Sequence, residues 1–342
     1  MSTEQRKKDH LNICLENNVE TQKTDFEDIL LINDSLPELN LREIDTTTKF
    51  LGKKLNLPLI IAAMTGGTEE ARQINRDLAE IAEKRGIGFS LGSQRAMIEK
   101  PELKETYYVR DVAPKVLLFG NIGISQLKRF NTKQIENALE YVEADALCVH
   151  INPAQELFQK EGNFDFKGSI TSLEKLCKEI NYPVIAKEVG FGISREVSLK
   201  LKEVGVKAID VGGFGGTNWI MIDGLLSERD FSSFVDWGIP TSISVLEAKV
   251  GLPIIATGGI RSGLDIAKSI ILGADMCGIA LPFLRILKKQ GKKGVENFID
   301  KIQEELKIAM TLTGSKNMEN LKKTKYVLTG KVKDWVEQRN LR

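Results

Sequence analysis

The segment His150-Ile151-Asn152-Pro153-Ala154-Gln155-Glu156 gathers an imidazole, two amides and a carboxylate within one short stretch. An imidazole titrates near neutrality and suits proton transfer or anion binding, although a lone histidine also serves as a hydrogen-bonded structural group. Glu156, a single carboxylate among neutral polar groups, suits a Mg²⁺ held jointly with substrate phosphates, because Mg²⁺ takes few protein ligands. It also reads as an ordinary first-turn helix carboxylate. Gln155 and Glu156 are adjacent, so their side chains are expected to point in different directions. Lys187, in Lys187-Glu188, closes an apolar run. It is open to three readings: a Schiff-base nucleophile, the partner of an anion, or a structural ammonium reaching solvent.

A second kind of chemistry is written in glycine. Gly258-Gly259-Ile260-Arg261-Ser262-Gly263 joins a close-approach backbone to a helix starting near Ser262. Free N–H groups and the positive dipole end there favour a phosphate-bearing ligand over mere tight turns. Gly212-Gly213-Phe214-Gly215-Gly216-Thr217-Asn218-Trp219 is either another anion-friendly loop or simply a mobile one. Met64-Thr65-Gly66-Gly67, Ser93-Gln94-Arg95, Asn121 and Gly278-Ile279-Ala280-Leu281 add polar or small residues after apolar runs. The N-terminal Arg6-Lys7-Lys8-Asp9-His10 reads as a solvated tail, or, with Arg95, as a cap over a diphosphate.

These groups need a scaffold that brings them together. Eight apolar runs, at 58–63, 87–91, 116–121, 146–151, 183–189, 208–211, 253–257 and 276–281, lack alternation and read as strands buried on both faces. Helical spacers at 68–85, 194–204 and 262–272 open at Thr68, Ser194 or Ser262 and stop before Gly86, Gly205 or Gly273. Eight regular βα units close most economically into a (β/α)₈ barrel, an α/β fold, with a doubly wound sheet as the alternative. In a barrel, the polar residues above fall at the strand C-terminal ends and share one face. One domain is expected: an N-terminal extension and substrate cap over 1–57, with a hairpin near 51–57, a barrel over 58–284, and a C-terminal helical segment over 285–342. The stretch 213–252 is too long for a simple connection and is expected to add a segment over the barrel mouth.

Composition narrows the field. The 342 residues carry 48 Lys+Arg against 47 Asp+Glu, a formal charge of +1, so no bulk basic field invites nucleic acid or a membrane surface. No apolar run approaches the ~20 residues of a membrane-spanning helix. Cys14, Cys148, Cys177 and Cys277 form no CxxC pair, and Cys148 and Cys277 read as small core residues. With no apolar stretch behind the charged N-terminus, a soluble, cytoplasmic protein is expected.

In order along the chain, Arg6-Lys7 with His10, Met64-Thr65-Gly66-Gly67, Gly92-Ser93-Gln94-Arg95, the His150 to Glu156 segment and Lys187-Glu188 resemble one family. Gly215-Gly216-Thr217-Asn218-Trp219, Asp236-Trp237-Gly238, Gly258 to Gly263 and Leu312-Thr313-Gly314 continue the match. That family is the type 2 isopentenyl-diphosphate Δ-isomerases, FMN-dependent barrel enzymes. The resemblance implies interconversion of isopentenyl and dimethylallyl diphosphate by a 1,3-proton shift, with reduced FMN as the acid/base cofactor, NADPH as reductant and Mg²⁺ present. It places Gln155, His150 and Lys187 in catalysis, with Lys187 beside N1/O2 of the flavin. Ala63, Met64, Thr65, Ser93, Asn121, Thr217, Gly258, Gly259, Arg261, Ala280 and Leu281 would bind FMN. Arg6, Lys7, His10, Ser93, Gln94, Arg95, His150, Asn152 and Gln155 would bind substrate, and Glu156 the metal. A homo-oligomer, tetramer or octamer, is expected. One departure stands out: the family often has a hydroxyl residue at Gly212, so one FMN contact is expected to be missing or replaced. Three other readings compete. They are a Schiff-base aldolase using Lys187, an FMN-dependent 2-hydroxy acid oxidase, which needs a late histidine that this chain lacks, and an inactive flavin or phosphate binder.

Overall fold

A computed structural model describes residues 3–21, 23–160, 162–227 and 229–341, apart from the side chains of residues 3–8. Eight parallel strands form a closed barrel: β1 (Leu59–Ile61), β2 (Gly88–Ser90), β3 (Leu117–Gly123), β4 (Ala146–Ile151), β5 (Val184–Glu188), β6 (Ala208–Asp210), β7 (Ile254–Thr257) and β8 (Met276–Ile279). Each pairs with the next, and β8 closes on β1 through Cys277, Gly278 and Ile279 opposite Leu59, Ile60 and Ile61. All eight predicted runs are barrel strands, so the (β/α)₈ reading holds and the doubly wound alternative falls.

Side chains alternate along a strand, so every second residue faces the barrel axis. Ile60, Leu117, Phe119, Ala146, Cys148, Ile185, Ala208, Ile255 and Met276 form one buried apolar cluster inside the barrel. Their neighbours Leu59, Leu118, Leu147, Ala186 and Ile254 belong to the larger cluster between strands and surrounding helices. Continuing the same alternation puts Asn121, His150, Lys187, Asp210 and Thr257 in the top inward layer. The polar residues are thus delivered by register.

The helices follow their sequence signals. Thr68 accepts a hydrogen bond from the Ala71 N–H and opens helix Glu69–Arg85, which ends at Gly86 with φ 63°. Ser194 and Ser262 cap Arg195–Glu203 and Gly263–Leu272 in the same way. Each such cap is worth about 1 kcal/mol.

The extensions serve opposite ends of the barrel. Strands Thr48–Phe50 and Lys53–Leu55 form the expected hairpin, slightly earlier than predicted. Phe50 and Leu55 join the interior cluster, and Lys53 donates to Val116 O and pairs with Asp145 at 2.7 Å, so the hairpin plugs the strand N-terminal end. Two short strands escaped the sequence reading: Ile29–Leu31 pairs antiparallel with Tyr326–Leu328 and ties the two extensions together. The 284/285 division falls inside helix Leu281–Leu312, which breaks only at Gly291. The barrel therefore runs into its C-terminal segment without a boundary there.

Phe50 stacks 6.3 Å from Phe119 and is 3% exposed. Phe50→Ala is expected to lower stability by about 3–5 kcal/mol through the cavity it leaves. Denaturant midpoints of wild type and variant check this, and a loss under 1 kcal/mol would mean that the hairpin is not a plug.

Candidate active site

A cavity of about 290 Å³ opens at the C-terminal end of the strands. Ala63, Met64, Thr65, Ser93, Asn121, Lys187, Thr217, Gly258, Gly259, Arg261, Ala280 and Leu281 all line it, as do His10, Arg95, His150, Asn152, Gln155 and Glu156. Gln94 does not. Its Oε1 accepts from the Asn121 N–H at 3.0 Å and its Nε2 donates to Ala138 O at 3.0 Å, behind β3. Its side chain is turned away from the mouth and fixes the end of β3. Arg6 and Lys7 fall in helix Thr3–Glu16, but their side chains lie outside the described residues.

The floor holds a buried ion pair. Lys187 Nζ lies 3.0 Å from Asp210 Oδ2 and donates to Thr257 Oγ1 at 3.3 Å and to Glu188 O at 3.1 Å. These three partners match the three donors of an ammonium. They leave neither a solvent-reaching structural lysine nor a free amine nucleophile. Thr257 Oγ1 donates in turn to Asp210 Oδ1. Asp210 escaped the sequence reading because it sits within an apolar run; a carboxylate inside a strand buried on both faces is itself the missed signal.

Gly212 adopts φ 46°, and a Cβ there would lie 2.1 Å from Glu188 O. Its N–H meets Asp210 Oδ1 at 3.2 Å and Thr257 Oγ1 at 3.1 Å. A hydroxyl side chain does not fit this backbone, so glycine at 212 has a steric reason. A Cβ at Gly216 would likewise lie 2.6 Å from Gly259 N, so the loops after β6 and β7 touch through bare backbone. This glycine cradle, the small residues Ala62, Ala63 and Gly278, and the lysine at the floor fit a flat phosphorylated cofactor such as FMN.

The wall opposite is polar and ordered. His150 Nδ1 lies 2.8 Å from Asn121 Oδ1, and burial with the nearby Lys187 charge pushes its pKa down to about 4. The ring is neutral near pH 7, with Nδ1–H donating and Nε2 left as an acceptor. Asn152 Nδ2 bridges Gln155 Oε1 at 3.1 Å and Glu156 Oε1 at 3.2 Å, and Glu156 Oε2 accepts from the Asn163 N–H at 2.7 Å. Gln155 and Glu156 were expected to point apart; both in fact face the cavity, because helix Pro153–Phe158 starts directly beneath it. Ser125 and Gln126 also line it unforeseen, and Gln126 Oε1 is buried without a hydrogen-bond partner among the described residues. Glu188 faces outward, where the N–H groups of Val189, Gly190 and Phe191 hold its carboxylate even as burial pushes its pKa up to about 7.

The N-terminal extension covers the mouth. His10 Nε2 approaches Asp223 Oδ1 at 3.3 Å and its ring meets Trp219 edge-on at 5.3 Å. Glu20 pairs with Arg261 and, at 2.7 Å, with Arg285. Burial lowers the Arg261 pKa to about 10. Arg95 is held at the rim by Glu99 at 2.9 Å. The segment 213–252 contributes Thr217 and Trp219 to the cavity, as its length suggested.

His150 titrates below its unfolded value of ~6.5. Its contribution to stability is therefore complete above that value and lost as pH falls from there to about 4. Wild type is expected to lose more stability than His150→Gln over this interval, measured by denaturation at each pH; parallel curves would mean a ring whose titration folding does not shift.

The FMN-dependent dehydrogenase family matches residues 12–105 and 123–328. Isopentenyl-diphosphate delta-isomerases from Pyrococcus furiosus and Archaeoglobus fulgidus are 46% and 45% identical to it. The first alignment covers 98% of this chain and 89% of the relative, the second 99% and 100%. The relative of the same description from Methanosarcina mazei is 42% identical, over 99% of this chain and 95% of its own. Among solved structures, a flavocytochrome b2 variant with sulfite bound superposes with a TM-score of 0.69 at 19% identity, covering 92% of this chain and 81% of that one. A mandelate oxidase variant with a monooxide FMN adduct gives 0.65 at 17%, covering 95% and 99%. At those identities the structures speak for the barrel alone. The sequence relatives speak for more: the chain belongs to the isopentenyl-diphosphate delta-isomerases, within the FMN-dependent dehydrogenase family.

Proposed function

We propose that this protein interconverts isopentenyl and dimethylallyl diphosphate by a 1,3-allylic proton shift, with reduced FMN as cofactor. The observation that carries the reading is the joining, in one cavity, of the glycine cradle and Lys187 with the Asn152-Gln155-Glu156 wall. Reduced FMN would supply acid/base chemistry that the neutral amides of Asn152 and Gln155 do not offer. The protein's own task is positioning. The C2 hydrogen is weakly acidic and an alkene is a poor base, so both proton steps need fixed partners.

Gln155 is held by the Asn152 amide on its oxygen, which turns its NH₂ away from that contact. A neutral amide is too weak a base to remove a C2 proton, so Gln155 orients the allyl group and relays a proton held elsewhere. His150 Nε2 accepts, so a diphosphate oxygen bound there must carry the shared proton. Arg95 and His10 bring further donors to the same end, with Arg6 and Lys7 assigned there by the resemblance. Glu156 retains lone pairs beyond its two hydrogen bonds and suits a Mg²⁺ completed by substrate phosphates.

NADPH as reductant, assembly as a homotetramer or octamer and a cytoplasmic location complete the reading. The reductant and the assembly are carried over from the resemblance, the location from the sequence reading. Among the described residues no helix is long and apolar enough to cross a membrane. Two competing readings lose ground. An aldolase needs a free Lys187 amine, and a 2-hydroxy acid oxidase needs a late histidine, whereas the chain has only His10 and His150.

Isopentenyl diphosphate incubated anaerobically with FMN, NADPH and Mg²⁺ in D₂O is expected to yield deuterated dimethylallyl product by NMR, and none without flavin. No product from protein holding reduced FMN would overturn the substrate assignment. Glu156→Gln is expected to lower turnover by about tenfold or more and raise the Mg²⁺ requirement. A wild-type Mg²⁺ titration in that variant would remove the metal from Glu156.

A further inference from the structure

Lys187 is not a free cation at the cavity floor. Its ammonium lies 3.0 Å from the Asp210 carboxylate, and both side chains are buried. Lys187 and Thr257 line the cavity, whereas Asp210 lies beneath them on the neighbouring strand, paired in register with Lys187. Thr257 links the two by donating to Asp210 and accepting from Lys187, and the Gly212 N–H adds a further donor to Asp210 at 3.2 Å.

We propose that Asp210 is a positioning residue that offsets the Lys187 charge, so that the bound flavin faces an ion pair of no net charge and not an isolated ammonium. The proposal rests on the reading that Lys187 stands beside the flavin N1/O2. Three facts carry it. All three ammonium donors already have acceptors, so a flavin contact must share one of them, and the Thr257 hydroxyl at 3.3 Å is the longest. The carboxylate has no access to solvent counter-ions, being 4% exposed, so its field is weakly screened. The alternation of β6 points Asp210 at the barrel axis, beneath the cofactor cradle. An isomerase consumes no net electrons. An unpaired cation would favour the reduced anionic flavin strongly, whereas a neutral pair leaves that preference modest and reserves Lys187 for orientation.

The test uses FMN-loaded protein poised anaerobically against a redox dye, reading the ratio of reduced to oxidised flavin at one fixed potential near pH 7. Asp210→Asn, which unmasks the ammonium, is expected to raise the ratio by roughly tenfold or more. Lys187→Gln, which leaves a lone carboxylate, is expected to lower it by roughly the same factor. The double variant Lys187→Gln/Asp210→Asn is again neutral and is expected to return to within about threefold of wild type. It also buries no lone charge, so it carries the test if a single variant fails to fold. A double variant as low as Lys187→Gln alone would overturn the proposal, because Asp210 would then contribute nothing to the field. An unchanged ratio in Lys187→Gln would instead remove Lys187 from the flavin and overturn the placement on which the proposal rests.

Discussion

Closing eight parallel strands into a barrel forces every second side chain toward a common axis, and that constraint governs both stability and chemistry here. The lower layers comply with Leu117, Phe119, Cys148, Ile185, Ile255 and Met276, sealed from below by Phe50 and Leu55. The top layer sits on this dry floor. Water cannot solvate it from beneath, so each polar group there must find a partner in protein or ligand. Lys187 finds Asp210, Thr257 finds both, and His150 gives up its charge and donates to Asn121. The site is preorganised because the barrel leaves its polar residues few other arrangements.

That origin explains which features were legible in the sequence. A strand buried on both faces is an unbroken apolar run, and glycine or a capping hydroxyl marks each turn, so all eight strands and the three tested helices were readable. The polar residues after each run then fell on one face by geometry. What failed depended on contacts between distant residues. Asp210 looked like a strand interior until register set it opposite Lys187. Gln94 was grouped with Ser93 and Arg95, but it turns the other way, to Ala138. The strand pair Ile29–Leu31 and Tyr326–Leu328 joins segments some three hundred residues apart, and at three residues each neither is long enough to announce itself alone.

Gly212 shows how a missing side chain can be misread. Read through the family resemblance alone, it suggests a lost hydroxyl. In place, its positive φ and its approach to Glu188 O leave no room for one, and the Thr257 hydroxyl already takes its N–H. The hydroxyl of that corner comes from Thr257 on the neighbouring strand β7.

The N-terminal extension binds the cap to the cofactor end of the site. Thr21 donates to Gly216 O, Asn218 donates to Val19 O, and Thr24 packs on Gly215 and Gly259, so Val19, Glu20, Thr21 and Thr24 lie along the glycine cradle. Glu20, within this strap, already pairs with Arg261. A phosphate reaching Arg261 must therefore share that guanidinium with a buried carboxylate, and Arg285 on the other carboxylate oxygen decides how readily Glu20 yields. The same strap leads back to the helix bearing His10, which meets Trp219 and Asp223. His10 and Glu20 thus lie on one segment of chain, so a ligand that displaces Glu20 from Arg261 acts on the same segment that carries His10.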